Sequence, residues 1–95
     1  MVVSMIQVRI ELPPLESIKD KRRIVTSLKE KLANKFHLSV AEVDEQDSLR
    51  YARIGAALVS NSRTFGESVM QKALAFVESN CEGVLLQTDL MSETY

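Results

Sequence analysis

Positively charged side chains are concentrated in one short segment, where they could bind phosphate groups. The segment contains Lys19, Lys21, Arg22 and Arg23. Residues 17–36 as a whole hold seven Lys or Arg and two acids, a charge of +5 (7 minus 2), in a chain whose net charge is only −1. If the segment is a helix, its dipole disfavours cations near the N-terminal end and attracts anions there. The pattern is typical of a solvated helix face, and the cations at the N-terminal end make contact with a polyanion the alternative.

Acidic side chains form a second cluster, over residues 42–47, with the sequence E-V-D-E-Q-D. Oxygen ligands at alternate positions could hold Mg²⁺ or Ca²⁺, so a metal-dependent hydrolase that uses Glu42, Asp44 and Asp47 is a remote alternative. The cluster lacks the glycine and the distant bidentate glutamate of an EF-hand loop, and we expect no metal there. We expect instead a charged loop at the end of a sheet, which contacts a partner or the basic segment. Its residues are Glu42, Asp44, Gln46 and Asp47.

The other reactive side chains do not form a catalytic set. His37 is the only histidine and Cys81 the only cysteine, whereas a zinc site built from protein side chains takes about four ligands. The sequence contains no phosphate-binding loop, no dinucleotide fingerprint and no G-x-S-x-G motif. It therefore favours a non-enzymatic protein with no catalytic residues and no cofactor.

Length and composition define the class of protein. The chain has 95 residues, of which 45% are hydrophobic and 26% charged, as expected for one domain over residues 1–95. No apolar run approaches the roughly 20 residues of a membrane span, and the first residues lack the pattern of a signal peptide. A single cysteine cannot form an intramolecular disulfide, which fits a reducing compartment. We expect a cytoplasmic protein with no membrane partner, and no DNA-binding signal is present.

Hydrophobic periodicity divides the chain into strands and helices. Strand patterns cover residues 2–12, 38–43, 51–60 and 84–91, and helix patterns cover residues 18–36 and about 64–80. Ser17 is the expected N-cap of the first helix, and Thr64 with Glu67 forms the expected capping box of the second. Gly83 is the expected terminator after the second helix. The residues after the last strand are expected to be loose.

The same patterns predict which side chains are buried. In the first and third strands, the residues expected to face inward are Ile6, Val8, Ile10, Leu12, Ile54, Ala56 and Leu58. In the second helix they are Phe65, Val69, Ala73, Phe76 and Val77. The second strand is ambiguous, because Val40 and Val43 can both face inward only across a β-bulge. Among the basic residues only Lys21 points toward the apolar side of its helix, and we expect its ammonium to reach solvent.

The order of the elements predicts a ferredoxin-like α+β sandwich. Right-handed crossovers convert the order βαββαβ into a four-stranded antiparallel sheet with two helices on one face. Many RNA-binding domains share this order and stack bases on aromatic residues of the open sheet face. Here that face carries Gln7, Arg9 and Arg53, and the first strand has no aromatic residue. A base-stacking mode is therefore disfavoured.

Two motifs resemble a known family. S-I-K-D-K-R-R-I-V-T-S-L and V-A-E-V-D-E-Q-D together are similar to the YlxP-like family (domain of unknown function 503), uncharacterised bacterial proteins, and the similarity covers nearly the whole chain. The resemblance implies a ferredoxin-like fold, genes near those for ribosome maturation and translation factors, and no established catalytic residues. The family-typical positions are Lys19, Lys21, Arg22, Arg23, Glu42, Asp44, Gln46 and Asp47. The chain has no tryptophan, although the family often has a leucine-tryptophan pair after Q-D; Tyr51 is the nearest aromatic residue.

Two functions follow from these observations. The favoured one is a non-enzymatic cytoplasmic domain that binds RNA or a ribonucleoprotein, such as the translation machinery, through the Lys19–Arg23 cluster. In that hypothesis the acidic loop meets a basic protein partner. The alternative is a homodimer or other homo-oligomer that serves as a ligand-binding or scaffold domain. Its open sheet faces would pair, because Gly55, Ala57 and Val59 leave that face partly apolar.

Overall fold

The computed structural model describes residues 1–95, with four strands and two helices in the order βαββαβ. The elements are β1 (Val2–Glu11), α1 (Ile18–Phe36), β2 (Ser39–Asp44), β3 (Tyr51–Ser60), α2 (Arg63–Asn80) and β4 (Val84–Thr94). The strands form one sheet in the order β2-β3-β1-β4, and all neighbours are antiparallel. The expected ferredoxin-like α+β fold is confirmed. Neither helix combines the length and the apolar content that a bilayer crossing requires.

Alternation along the two central strands separates a buried face from an open face. β1 pairs with β3 along its whole length, and the inward side chains Ile6, Val8 and Ile54 are at most 2% exposed. They form one core cluster with residues of both helices, which include Leu32 and Val77. The predicted facing of β1 and β3 is confirmed, and the intervening side chains lie on the face away from the helices.

Helix α1 begins after Ser17 and ends at Phe36, as predicted. The Oγ atom of Ser17 accepts a hydrogen bond from the backbone N–H of Asp20 (3.2 Å), which satisfies one of the free N–H groups of the first turn. His37 follows the last turn in a left-handed conformation with φ 55°. The exposed His37 therefore occupies the C-terminal end of α1.

Strand β2 contains a bulge. The pairing of β2 with β3 shifts its register between Glu42 and Asp44, so Val43 is the extra residue. Val40 packs against the core, whereas Val43 is 46% exposed and lies against Gly55 on the open face. Glu42 has the same facing as Val40 and is thereby directed toward α1.

Helix α2 begins slightly earlier than predicted, and its N-cap is a different residue. The Oγ atom of Ser62 accepts the backbone N–H of Phe65 (3.2 Å), so the expected capping box of Thr64 and Glu67 is wrong. The predicted burial of Phe65 is also wrong, since this side chain is 56% exposed. The reason is that Gly66 takes the buried position of that turn.

Gly66 permits a close approach of α2 to the sheet. A Cβ atom at this position would lie 2.1 Å from the Oγ atom of Ser4 on β1. Ser4 is fully buried, and its hydroxyl forms a hydrogen bond with that of Ser92 (2.8 Å). The buried side of α2 therefore starts with a glycine and continues through Met70, Ala73 and Val77.

Strand β4 extends to Thr94, which is three residues beyond its predicted end (94 minus 91). The backbone N–H of Tyr95 donates to the carbonyl of Met1 (2.7 Å), so the prediction of a loose tail is wrong. The role predicted for Gly83 is wrong as well, because α2 already ends at Asn80 and no glycine has a positive φ. A Cβ atom at Gly83 would lie 2.3 Å from the carbonyl oxygen of Glu11. Glycine is needed there for close backbone approach.

Candidate functional site

A buried lysine ties the first turns of α1 to the connection between β2 and β3. Lys21 is 1% exposed. Its ammonium donates to the backbone carbonyls of Glu45 (2.6 Å), Ser48 (2.6 Å) and Tyr51 (2.9 Å). Because an ammonium has three protons, these bonds use all of them. Lys21 is therefore directed into the protein and not toward a phosphate, and the expectation that its ammonium reaches solvent is wrong.

Glu42 places a negative charge beside that ammonium. Its Oε2 atom lies 3.2 Å from Nζ of Lys21, is buried and accepts no hydrogen bond. The three carbonyls take the ammonium protons, so the carboxylate acts through its charge. A poorly hydrated charge is costly unless it is paired, so the attraction between the two groups offsets part of the cost of their burial. This ion pair joins the acidic loop to the basic helix, which is one of the contacts expected for the loop.

Arg9 and Glu45 form a second ion pair, on the open face of the sheet. Nε and Nη2 of Arg9 donate to the two carboxylate oxygens at 3.0 and 2.9 Å, a bidentate geometry that strengthens such pairs. The hydrogen bonds from Arg9 hold the pKa of Glu45 below its usual value, and they raise the pKa of Arg9. Glu45 has φ 60°, which is uncommon for a residue other than glycine. The ion pair thus helps to hold an unusual turn in place.

Tyr51 is engaged by the arginines of the chain itself. The guanidinium carbon of Arg9 lies 4.0 Å from the ring centroid, and that of Arg50 lies 5.1 Å from it. Arg50 also binds Glu11 (3.0 Å). Such cation–π contacts fix the ring in position. Tyr51 is the aromatic residue nearest to the position where the family often has a tryptophan. It belongs to an internal network and does not form an open platform for a base.

Three cations of the basic cluster remain on the surface. Lys19, Arg22 and Arg23 are exposed, and none of them takes part in the four ion pairs of the structure. Residues three and four apart on a helix are neighbours, so Lys19 lies beside both arginines. Together, Lys19, Arg22 and Arg23 form the cationic surface of α1.

The side chains of the acidic loop point in different directions. Glu42 and Glu45 are held by the ion pairs described above, and the Oδ1 atom of Asp44 accepts the backbone N–H of Glu45 (2.7 Å). Gln46 and Asp47 are exposed. No three His, Cys, Asp or Glu side chains come together as a metal ion would require. The structure gives the loop a stabilising role toward α1 and leaves three of its polar side chains exposed, those of Asp44, Gln46 and Asp47.

The open face of the sheet has a polar part and an apolar part. Gln7 is exposed and Arg53 is half-buried, and together with Arg9 they make the polar part. The apolar part, called the apolar patch below, consists of Met5, Val43, Gly55, Ala57, Val59 and Met91. Within it, Val59 and Met91 are 63% and 52% exposed. A shallow hollow of about 260 Å³ lies over Gly55 and Ala57.

The sequence did not indicate the main-chain part of this site. The carbonyls that bind Lys21 belong to Glu45, Ser48 and Tyr51, and a side-chain pattern carries no information about a carbonyl acceptor. One signal was present, because Lys21 alone among the basic residues falls on the apolar side of α1. A lysine directed inward needs acceptors, and a polar loop of the neighbouring strand pair can supply them.

The fold and these contacts define a small α+β domain of the ferredoxin-like class, in which a buried lysine joins a basic helix to an acidic loop. The chain belongs to a family of proteins of unknown function, DUF503, whose model matches residues 3–90. The uncharacterized protein YlxP of Bacillus subtilis (strain 168) is 36% identical over 63 residues, which make up 66% of this chain and 68% of that protein. The expected family is thereby confirmed.

Two solved structures are similar to the chain in fold alone. The de novo designed protein Ferredog-Diesel has a TM-score of 0.45 and 11% identity, and the match covers 97% of this chain and 84% of that one. A dimeric protein of unknown function and ferredoxin-like fold from Bacteroides fragilis has a TM-score of 0.49 and 10% identity. That match covers 99% of this chain and 96% of the other.

Proposed function

We propose that this protein is a non-enzymatic cytoplasmic module that binds RNA, alone or within a ribonucleoprotein, through the cationic surface of α1. The observation that carries the proposal is the exposure of Lys19, Arg22 and Arg23 without an ion-pair partner in the chain. Cations near a helix N-terminus oppose the helix dipole. Because folding does not need these charges there, contact with an external anion is the better explanation.

The spacing of the cationic surface suits a phosphate backbone. Neighbours at i, i+3 and i+4 on a helix lie roughly 5–6 Å apart between their Cβ atoms. Long side chains from one turn can therefore reach successive phosphates of one strand. Arg22 and Arg23 also offer planar guanidinium groups, which bind phosphate oxygens in a bidentate manner. Such contacts fix the position of the RNA and carry no sequence information.

The nearby acidic loop does not neutralise this surface. Glu42 is paired with the buried Lys21, and Glu45 is paired with Arg9 on the open face of the sheet. The two pairs remove one cation from the basic cluster and two acids from the loop. Three exposed cations then face two exposed loop acids, Asp44 and Asp47, so the net charge of the two segments outside these pairs stays positive. Contact through the backbone alone also agrees with the absence of an aromatic platform on β1.

Binding of a fluorescent RNA hairpin, measured by anisotropy over a series of salt concentrations, tests the proposal. Each phosphate contact contributes a slope of roughly −0.7 to −0.9 in a plot of log affinity against log salt, so three cations predict about −2 to −3. The double variant Arg22→Glu/Arg23→Glu should bind at least about tenfold more weakly and show a flatter slope. Its matched control is Lys35→Glu/Lys72→Glu, with the same change in net charge on other surfaces. Equal affinity of wild type and the arginine variant would overturn the proposal.

A homodimer formed through the open sheet faces is the second candidate, and the shape of the apolar patch favours it. A two-fold interface brings the same surface together from both copies, so that surface must contain both protrusions and hollows. Val59 and Met91 protrude, with 63% and 52% of their surface exposed. The hollow over Gly55 and Ala57 has a volume of about 260 Å³. The protrusions and the hollow lie on the same face, as a two-fold contact between two copies of the chain requires.

Light scattering coupled to size-exclusion chromatography tests the second candidate. We expect a dimer at micromolar concentration and a monomer for the variants Val59→Glu and Met91→Glu, because a charge in the centre of an apolar interface is not solvated. Phe65→Glu is the matched control, since Phe65 is an equally exposed apolar side chain on α2. A wild-type monomer, or a dimer that survives both patch variants, would rule the candidate out.

A further inference from the structure

A cavity lies between α1, the sheet and the segment that joins α2 to β4. Its volume is about 130 Å³. The sheet side of its wall includes Leu12, Ala52 and Ile54, and the helix side includes Val25 and Leu28. Each of these five side chains is at most 7% exposed. The inner wall is therefore apolar and shielded from bulk water.

The cavity has space because the residue at its floor is small. Ala52 lies on the inward face of β3, two residues before the larger Ile54 on the same face. An unfilled apolar cavity lowers stability in proportion to its volume. Cavities of this order that are lined by Leu and Ile remain dry and accept compact apolar molecules. The space suits a branched aliphatic side chain or a phenyl group.

The mouth of the cavity is polar and carries charges of both signs. Ser27 and Lys31 border it from α1, and Asn80 and Glu82 border it from the opposite side. Lys31 and Glu82 are exposed, and neither takes part in an ion pair. Cys81 completes the wall between them and the interior; burial raises the pKa of its thiol, which is thus a neutral group.

We propose that this cavity binds a small molecule with an apolar body and a zwitterionic head, the chemistry of a free hydrophobic α-amino acid such as leucine. The carboxylate faces Lys31, the ammonium faces Glu82, and the side chain occupies the space above Ala52. An apolar interior with a few polar groups at its opening is the usual form of a small-molecule site. The cationic surface of α1 lies outside the cavity wall, so this proposal does not rest on RNA binding.

Titration of the ¹⁵N-labelled 95-residue chain with L-leucine, followed through amide chemical shifts, tests the proposal. We expect saturable shifts at Leu28, Ala52 and Cys81. N-acetyl-leucine lacks the ammonium and leucinamide lacks the carboxylate, so each should bind about tenfold more weakly or worse through the loss of one charge-assisted contact. Aspartate has the same head without the apolar side chain and should cause no shifts at these residues.

Three variants assign the contacts. Lys31→Gln should weaken leucine binding about tenfold and leave the weaker binding of leucinamide unchanged, because leucinamide has no carboxylate to lose. Ala52→Leu should fill the cavity and abolish binding of every ligand, with a folded spectrum retained. Lys72→Gln, the same change on an exposed lysine of α2, should have no effect. The absence of saturable shifts with leucine, or equal affinity for leucine and its two derivatives, would overturn the proposal.

Discussion

The ammonium of Lys21 lies 3.2 Å from the Oε2 atom of Glu42, where α1 meets the β2–β3 hairpin. This contact joins the two segments that resemble the family, the basic one and the acidic one. The same ammonium provides three hydrogen bonds to the hairpin connection. The two charged segments therefore depend on each other for the fold, and only part of each is left for a partner.

Replacement of Lys21 by Met removes the ammonium and keeps an apolar chain of similar length. We expect the free energy of unfolding to decrease by about 3–5 kcal/mol, because a partly buried carboxylate and three carbonyls lose their partner. Unfolding in urea, followed by circular dichroism, measures this change.

Lys19→Met is the control for that variant, since Lys19 is exposed and the chemical change is the same. It should change stability by no more than about 0.5 kcal/mol. The double variant Lys21→Met/Glu42→Met should recover part of the loss, because the uncompensated carboxylate is then absent. If Lys21→Met were as stable as the wild type, Lys21 would not be the residue that stabilises the acidic loop.

The fold was largely predictable because its strands and first helix show their periodicity over many residues. The errors arose where a long-range contact decides the outcome. At the start of α2, hydrophobicity points to Phe65, but the close approach to Ser4 selects Gly66 for the buried position. At the end of the chain, no local pattern shows that the tail can pair with Met1 beside β1.

The site was less predictable than the fold. The sequence places four cations together and sets Lys21 apart on the apolar side of α1, but it does not show that the ammonium of Lys21 is internal. The acceptors of Lys21 are main-chain carbonyls 24, 27 and 30 residues further along the chain. Their position depends on the bulge in β2 and on the unusual turn at Glu45, neither of which has a distinct residue pattern.

The ion pair between Arg9 and Glu45 makes stability depend on pH. Folding lowers the pKa of Glu45 from its ordinary value of 4.5. As the pH falls, the carboxylate is therefore protonated in the unfolded chain before it is protonated in the folded protein. The pair thus contributes fully above about pH 5 and loses its contribution as the pH decreases through the folded pKa. The stability difference between wild type and Glu45→Gln should be largest near neutral pH and should shrink as the pH falls through the folded pKa of Glu45.

Urea midpoints of both proteins at a series of pH values measure this difference. Glu93→Gln is the matched control, because Glu93 is exposed and takes part in none of the ion pairs. Its difference from wild type should stay small at every pH. A difference for Glu45→Gln that does not vary with pH would contradict the stabilising role of the pair.

Replacement of Lys19 by Glu should stabilise the protein and weaken RNA binding at the same time. A negative charge in the first turn of α1 is favoured by the helix dipole, by about 0.3–1 kcal/mol, and the new carboxylate would have Arg23 four residues away as a partner. Thermal unfolding measures the first effect and RNA anisotropy the second. Lys35→Glu in the last turn should have the opposite effect on stability, since cations are favoured there. A loss of stability in Lys19→Glu would mean that Lys19 has a structural contact.

The close contact between Gly66 and Ser4 determines what an added methyl group would do in α2. A Cβ atom at Gly66 would lie 2.1 Å from Ser4 Oγ and 3.0 Å from Ser4 Cβ. Gly66→Ala should gain about 1 kcal/mol in helix propensity, and the steric overlap with a fully packed strand should cost about 1–3 kcal/mol. We therefore expect no net gain in the free energy of unfolding, or a loss, when the variant is unfolded in urea.

A double-mutant cycle separates the steric overlap from the helix propensity. Ser4→Gly alone loses the hydrogen bond to Ser92, but it makes room for the methyl group. In the double variant, Gly66→Ala should thus become stabilising relative to Ser4→Gly, with a coupling energy of about 1 kcal/mol or more. Strictly additive effects in urea unfolding would show that α2 can move away from β1 at little cost, and that this glycine does not determine how the helix packs.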